Sequence, residues 1–148
     1  MKNLILENRK VRFNYHLLEV LTAGLILKGS EVKSILKGDS SISEGYCYIT
    51  PNGEIFVKGF TIQQYSEATY NNHNQKDDKK LLLNKKEIED LSYKMETNQG
   101  LTIIPTKLFV ADNGKIKIEI ALCRGKKQYD KRVDKKLKDI ERENQRKF

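Results

Sequence analysis

Apolar residues recur through most of the chain in short runs divided by turn-forming residues, then thin out near the C-terminus. Residues 11–27 alternate loosely through Phe13, Tyr15, Leu17 and Leu18 and end in Ala23-Gly24-Leu25-Ile26-Leu27. That pattern predicts one or two strands, broken or bulged near Gly24. Gly29-Ser30 precedes a short helical stretch, with Ser30 as cap, Glu31 at the positive end and Gly38 as the left-handed stop. This helix is expected to bury Val32, Ile35 and Leu36. Residues 42–49 read as a strand with Ile42, Tyr46 and Tyr48 on one face, and Pro51-Asn52-Gly53 turns the chain into a second alternating run over 54–62. From 63 to 80 the chain is polar, without apolar periodicity, and a loop of that length is usually functional or disordered.

A longer helix follows. Asn84 with Glu87 is a capping-box pattern, Ile88, Leu91 and Met95 share one face, and Gly100 ends the element. Residues 101–111 form a strand whose Pro105 implies a bulge or an edge position. Asp112-Asn113-Gly114 is a hairpin turn signal. In 115–123, Lys115, Lys117 and Glu119 face one way and Ile116, Ile118 and Ile120 the other. Strands separated by turns, with no βαβ repeat, predict a mainly β fold: an OB-like antiparallel six-stranded barrel with two or three helices at its ends.

Charge divides the chain differently. Residues 124–148 carry eleven Lys or Arg and five Asp or Glu, which is +6 of the net +8. The division expected is a barrel over 1–123 and a basic arm over 124–148. The arm offers only Val133, Leu137, Ile140 and Phe148 to a core, so it is expected to be disordered when free and helical when bound. Asp134 with Lys138 and Glu143 with Lys147 are favourable helical pairs. Lysines and arginines at this density suit a polyanion, through release of its counterions.

Enzymatic chemistry has little to stand on. The two histidines, His16 and His73, and the two cysteines, Cys47 and Cys123, show no metal-ligand spacing. There is no phosphate-binding glycine loop and no nucleophile elbow. Asp77-Asp78 sits in a lysine-flanked loop and reads as solvated. The expectation is therefore a non-enzyme without cofactor or metal. Both cysteines lie in apolar runs and read as buried reduced thiols, which points to the cytoplasm. No window approaches eighteen apolar residues, so no membrane span is expected. Two basic segments remain as binding candidates. One is Lys76, Lys79, Lys80, Lys85 and Lys86 around Leu81-Leu82-Leu83. The other is Gly125-Lys126-Lys127-Gln128-Tyr129-Asp130-Lys131-Arg132, where an aromatic among cations can stack a base and clamp a backbone.

Several segments, in order, resemble the SmpB family, the SsrA-binding proteins that partner tmRNA in trans-translation. They are Asn8-Arg9-Lys10 with Asn14-Tyr15, Ala23-Gly24-Leu25-Ile26-Leu27, Gly29-Ser30-Glu31-Val32-Lys33-Ser34-Ile35, Asn72-His73 and Lys80-Leu81-Leu82-Leu83. Gly100 to Pro105, Lys117-Ile118-Glu119-Ile120-Ala121 and the Gly125 to Arg132 segment complete the set. The resemblance implies that the barrel grips the tRNA-like domain of tmRNA and that the arm enters the vacant mRNA path of a stalled ribosome. By matching motif, it assigns Glu31, Lys33, Ser34, His73, Lys79, Lys80, Leu81, Leu82 and Leu83 to tmRNA. It assigns Lys126, Lys127, Tyr129, Asp130, Lys131, Arg132, Lys135 and Lys136 to the decoding centre and mRNA path. The partners implied are tmRNA, chiefly the small ribosomal subunit, and EF-Tu indirectly through alanyl-tmRNA, with the protein a monomer. Tyr129 stands where many members have His, and Asn74-Gln75 where many have Asp-Pro. A generic OB-fold RNA-binding factor, such as one for ribosome assembly, and an RNA-modifying enzyme are the other readings.

Overall fold

The computed structural model describes residues 3–64 and 77–125. The elements run β1 (Asn3–Glu7), α1 (Lys10–Asn14), β2 (Tyr15–Leu25), α2 (Gly29–Leu36), β3 (Ser40–Ser41), β4 (Tyr46–Ile49), β5 (Ile55–Lys58), β6 (Thr61–Ile62), β7 (Lys79–Leu82), α3 (Lys85–Thr97), β8 (Leu101–Val110) and β9 (Ile116–Gly125). The main sheet has the order β1-β8-β4-β5-β7-β2-β9, and β8 also pairs with β9. That last pairing closes β8, β4, β5, β7, β2 and β9 into the expected ring of six antiparallel strands. β1 adds to β8 beside the ring, and β3 and β6 form a separate small pair.

Alternation along the strands fills the ring. Ile55, Val57, Ile103, Leu108, Ile118 and Ile120 are wholly buried. Pro105 lies at the predicted bulge, where the β8–β9 register shifts between Pro105 and Lys107. β8 is nevertheless interior, with β9 along one side and β1 and β4 sharing the other. The bulge frees Thr106 to donate its hydroxyl to Glu119 Oε2 at 2.6 Å. The Asp112–Gly114 turn closes as predicted, with Gly114 at φ 81° and its N–H donating to Ala111.

The structure corrects five local expectations. Residues 10–14 are helical, not extended: the Asn8 carbonyl accepts from Val11 N–H, and Val11 packs on Ile104 and Cys123. The bulge of β2 falls between Leu17 and Glu19 and not at Gly24, which stays in the ladder opposite both Lys117 and Leu82. A Cβ at Gly24 would meet that of Leu82 at 3.2 Å, so glycine permits the close approach. Ile42 is buried in a turn before β4 rather than in a strand with Tyr46. β7 lies in part of the stretch read as loop, its period hidden because the inward partner of Leu81 is a lysine. Finally, α2 begins at Gly29, so Lys28 and not Ser30 is the cap, and its buried residues are Glu31, Ser34 and Ile35 while Leu36 faces solvent.

The ends of α2 and α3 follow their capping chemistry. α2 stops in a Schellman turn: Gly38 has φ 86°, its N–H donates to Ile35, and Asp39 N–H donates to Ser34. In α3, Asn84 Oδ1 accepts from Glu87 N–H at 2.8 Å, and Glu87 Oε1 accepts from Asn84 N–H at 3.1 Å. Ile88 and Leu91 are buried and Met95 packs against the core, as the helical spacing predicts.

Candidate nucleic-acid interface

Helix α2, strand β7 and the end of β2 meet on one face. In β7 the period of two sends Lys79 and Leu81 inward and leaves Lys80 and Leu82 facing out. Lys79 therefore enters the interior under α2, where its ammonium contacts the Glu31 carboxylate. Both side chains are buried. Glu31 occupies the third position of α2 and its Oε1 accepts from Lys28 N–H at 2.8 Å. One carboxylate thus caps the helix and fixes the helix to the strand. Such a pair specifies geometry more than it stabilises, because both charges lose their hydration.

Lys80 is opposite Phe56 and sits 3.0 Å from Glu54 Oε2. That contact, first as a hydrogen bond and then as a charge, draws the Glu54 carboxyl below its ordinary value. The Lys80 carbonyl accepts from Ile26 N–H at 3.1 Å, which keeps the chain leaving β2 tied to β7. Leu82 and Ile26 are about half exposed, and Leu36 is also exposed. Next to Leu82 is an open cleft of about 420 Å³, lined by Leu27 and Val32 and by Lys115 and Lys117 of the β8–β9 hairpin. A partly apolar surface with cations beside it suits a folded RNA, whose riboses and bases need contact area and whose phosphates need charge.

The expected tmRNA-contact residues divide here. Glu31, Ser34, Lys79 and Leu81 are buried, while Lys33, Lys80, Leu82 and, in part, Leu83 reach the surface. All of these belong to α2 or the β7 segment. His73, Lys126, Lys127, Tyr129, Asp130, Lys131, Arg132, Lys135 and Lys136 lie outside the described residues. Lys115 and Lys117 were not singled out as site residues by sequence reasoning, although their outward position in an alternating run was visible. Among the described residues no group of three or more His, Cys, Asp or Glu could hold a metal ion. No helix among them is long and apolar enough to cross a membrane. Cys47 and Cys123 are both buried free thiols, as expected.

Comparison with known proteins bears on the family and the fold. A family model described as "SmpB protein" matches residues 5–148. The SsrA-binding protein of Parabacteroides distasonis is 42% identical over 99% of this chain and 94% of its own length. That of Christiangramia forsetii is 46% identical over 96% of this chain and 90% of its own length. A solved structure described as "tmRNA-SmpB: a journey to the center of the bacterial ribosome" superposes with a TM-score of 0.70 at 39% identity, covering 88% of this chain and 91% of that one. With a match along nearly its whole length, a shared fold and relatives above 40% identity, this chain belongs to the SmpB family.

Proposed function

We propose that this protein binds the tRNA-like domain of tmRNA, the SsrA RNA, and delivers it to stalled ribosomes for trans-translation. The observation that carries the reading is the clustering of α2, β7 and the basic cleft on one face, in a chain of the SmpB family. On that face Lys33, Lys80 and Leu82 contact RNA, and Glu31, Ser34 and Lys79 position them from beneath. His73 contributes from the segment before β7. The barrel over 1–123 recognises tmRNA, and the arm over 124–148 serves the ribosome. There Lys126, Lys127, Lys131, Arg132, Lys135 and Lys136 meet rRNA phosphates along the empty mRNA path, and Tyr129 stacks on an rRNA base at the decoding centre beside Asp130. The protein acts in the cytoplasm as a monomer, meets EF-Tu only through alanyl-tmRNA, and performs no catalytic step of its own.

The test is binding of the full chain, and of a chain ending at Gly125, to the tRNA-like domain of tmRNA and to tRNA across a range of salt concentrations. Both forms should bind the tRNA-like domain selectively, with the shorter one showing a smaller salt slope. If every RNA binds alike and truncation abolishes binding, the arm is a generic polyanion grip and the OB-fold RNA-binding alternative takes over.

A further inference from the structure

Lys80, the cation that the proposed function places on RNA, is not presented alone. Its ammonium lies 3.0 Å from Glu54 Oε2, and the two side chains are 40% and 35% exposed, so a phosphate can reach both. Each partner is held from behind. Glu54 Oε1 accepts from Asn52 Nδ2 at 2.8 Å, and Asn52 Oδ1 accepts from the Thr50 hydroxyl. Glu54 N–H donates to Thr50 Oγ1 at 3.1 Å, and Thr50 N–H donates to the Glu54 carbonyl at 2.8 Å, which closes the turn between β4 and β5. On the other side, Lys80 is opposite Phe56 in the ladder. The Phe56 ring stacks on Tyr48 with centroids 5.7 Å apart, and the Tyr48 hydroxyl donates to Asp78 at 2.5 Å, two residues before Lys80. Turn and strand thus set the carboxylate and the ammonium against each other. A lone surface lysine swings on a flexible stem, whereas this one has a fixed neighbour.

We infer that Glu54 is a specificity-determining residue, which cancels the charge of Lys80 toward RNA in general and leaves that lysine's remaining N–H donors to an RNA docked in one pose. Affinity for RNA of any sequence and shape follows the number of cations that displace counterions from phosphates. A lysine matched by a carboxylate at 3.0 Å adds little to that number. Its ammonium has three donors, and the contact with Glu54 engages one of them. The others can meet a phosphate oxygen that arrives from the side away from the carboxylate, because Glu54 repels a phosphate nearer to itself. An RNA that fills the neighbouring cleft at Leu27, Val32 and Leu82 has its backbone placed by shape and meets this condition, whereas an unstructured strand has no such placement. A repulsive group set beside an attractive one is how specificity is gained against unwanted partners. The inference rests on the reading of Lys80 as an RNA contact and adds to it the residue that restricts that contact.

The experiment compares the full chain with Glu54→Gln, Lys80→Ala and the double variant across a range of salt concentrations. Each protein is titrated with the tRNA-like domain of tmRNA and with an oligouridine of about 20 nucleotides, which stays unstructured. Gln keeps the size of the side chain and an acceptor for Asn52, so the turn is retained. Glu54→Gln should tighten oligouridine about threefold, steepen its log–log salt slope by about 0.7, and leave the tRNA-like domain within about twofold. Adding Lys80→Ala should remove both gains, which a merely structural effect at the turn would not do. Oligouridine binding unchanged in Glu54→Gln, a gain that survives Lys80→Ala, an equal gain for both RNAs, or a loss of affinity for the tRNA-like domain would overturn the inference. Lys80→Ala binding the tRNA-like domain as tightly as the parent would instead overturn the reading of Lys80 as an RNA contact, so the two failures are separable.

Discussion

The most consequential contact in the molecule is between Lys79 and Glu31. A lysine two positions before three leucines, in a lysine-rich stretch, reads as a phosphate contact, yet it lies beneath α2 against a buried carboxylate. Removing one partner leaves the other charge buried and unpaired, which costs about 3–5 kcal/mol. Lys79→Met should therefore lower the urea midpoint strongly. Adding Glu31→Gln should recover much of the loss, because Gln keeps an acceptor for Lys28 N–H without the charge. A Lys79→Met protein as stable as the parent would show that the pair does not hold helix to strand. Any loss of tmRNA binding in the single variant then reflects a displaced α2 rather than a missing phosphate contact. The double variant distinguishes the two, since it restores the helix without restoring the cation.

Whole elements were legible where one periodicity ran uninterrupted between strong caps. α3 is the clearest case, with its Asn84–Glu87 box and its Ile88, Leu91 and Met95 face all in place. Asn84→Ala should cost about 1 kcal/mol and lower the melting temperature by a few degrees, measured by circular dichroism at 222 nm; an unchanged melt would mean the cap is dispensable. The Pro105 bulge and the Gly114 hairpin were legible for the same reason, since proline and glycine constrain the backbone directly. What was hidden depended on distant partners. α2 buries Glu31 and Ser34 in place of Leu36 because Lys79, forty-eight positions later, supplies the counter-charge. β1 escaped notice because its five residues gain their order only from β8. The site was thus readable as a set of motifs, but which members touch solvent was not. Inward and outward positions are decided by the ring, not by the local sequence.

At the scale of the whole molecule, the described residues carry their own core, and the stability of that core can be probed through groups inside it. The two thiols provide the means. Burial pushes Cys123 up to about 11 from an ordinary 9.0, with a hydrogen bond from the Ile104 backbone drawing it slightly back. Burial, and then the neighbouring Cys123, raises Cys47 as well. In the unfolded chain both thiols ionise near their ordinary value, while the native barrel holds their protons. The unfolded state therefore binds fewer protons above about pH 9, and stability falls as pH rises. The contribution is complete below that point and is lost as pH rises toward the folded values. The urea midpoint should accordingly drop between pH 8.5 and 10.5. The Cys47→Ala, Cys123→Ala double variant should start lower, because of the volume removed from the core, but show a shallower slope over the same interval. Equal slopes in parent and variant would mean that the two thiols do not set the alkaline limit. The same burial makes the thiols slow to react with a disulfide reagent at neutral pH until the ring opens, because the thiolate is the nucleophile. Their modification rate then reports the opening of the barrel itself.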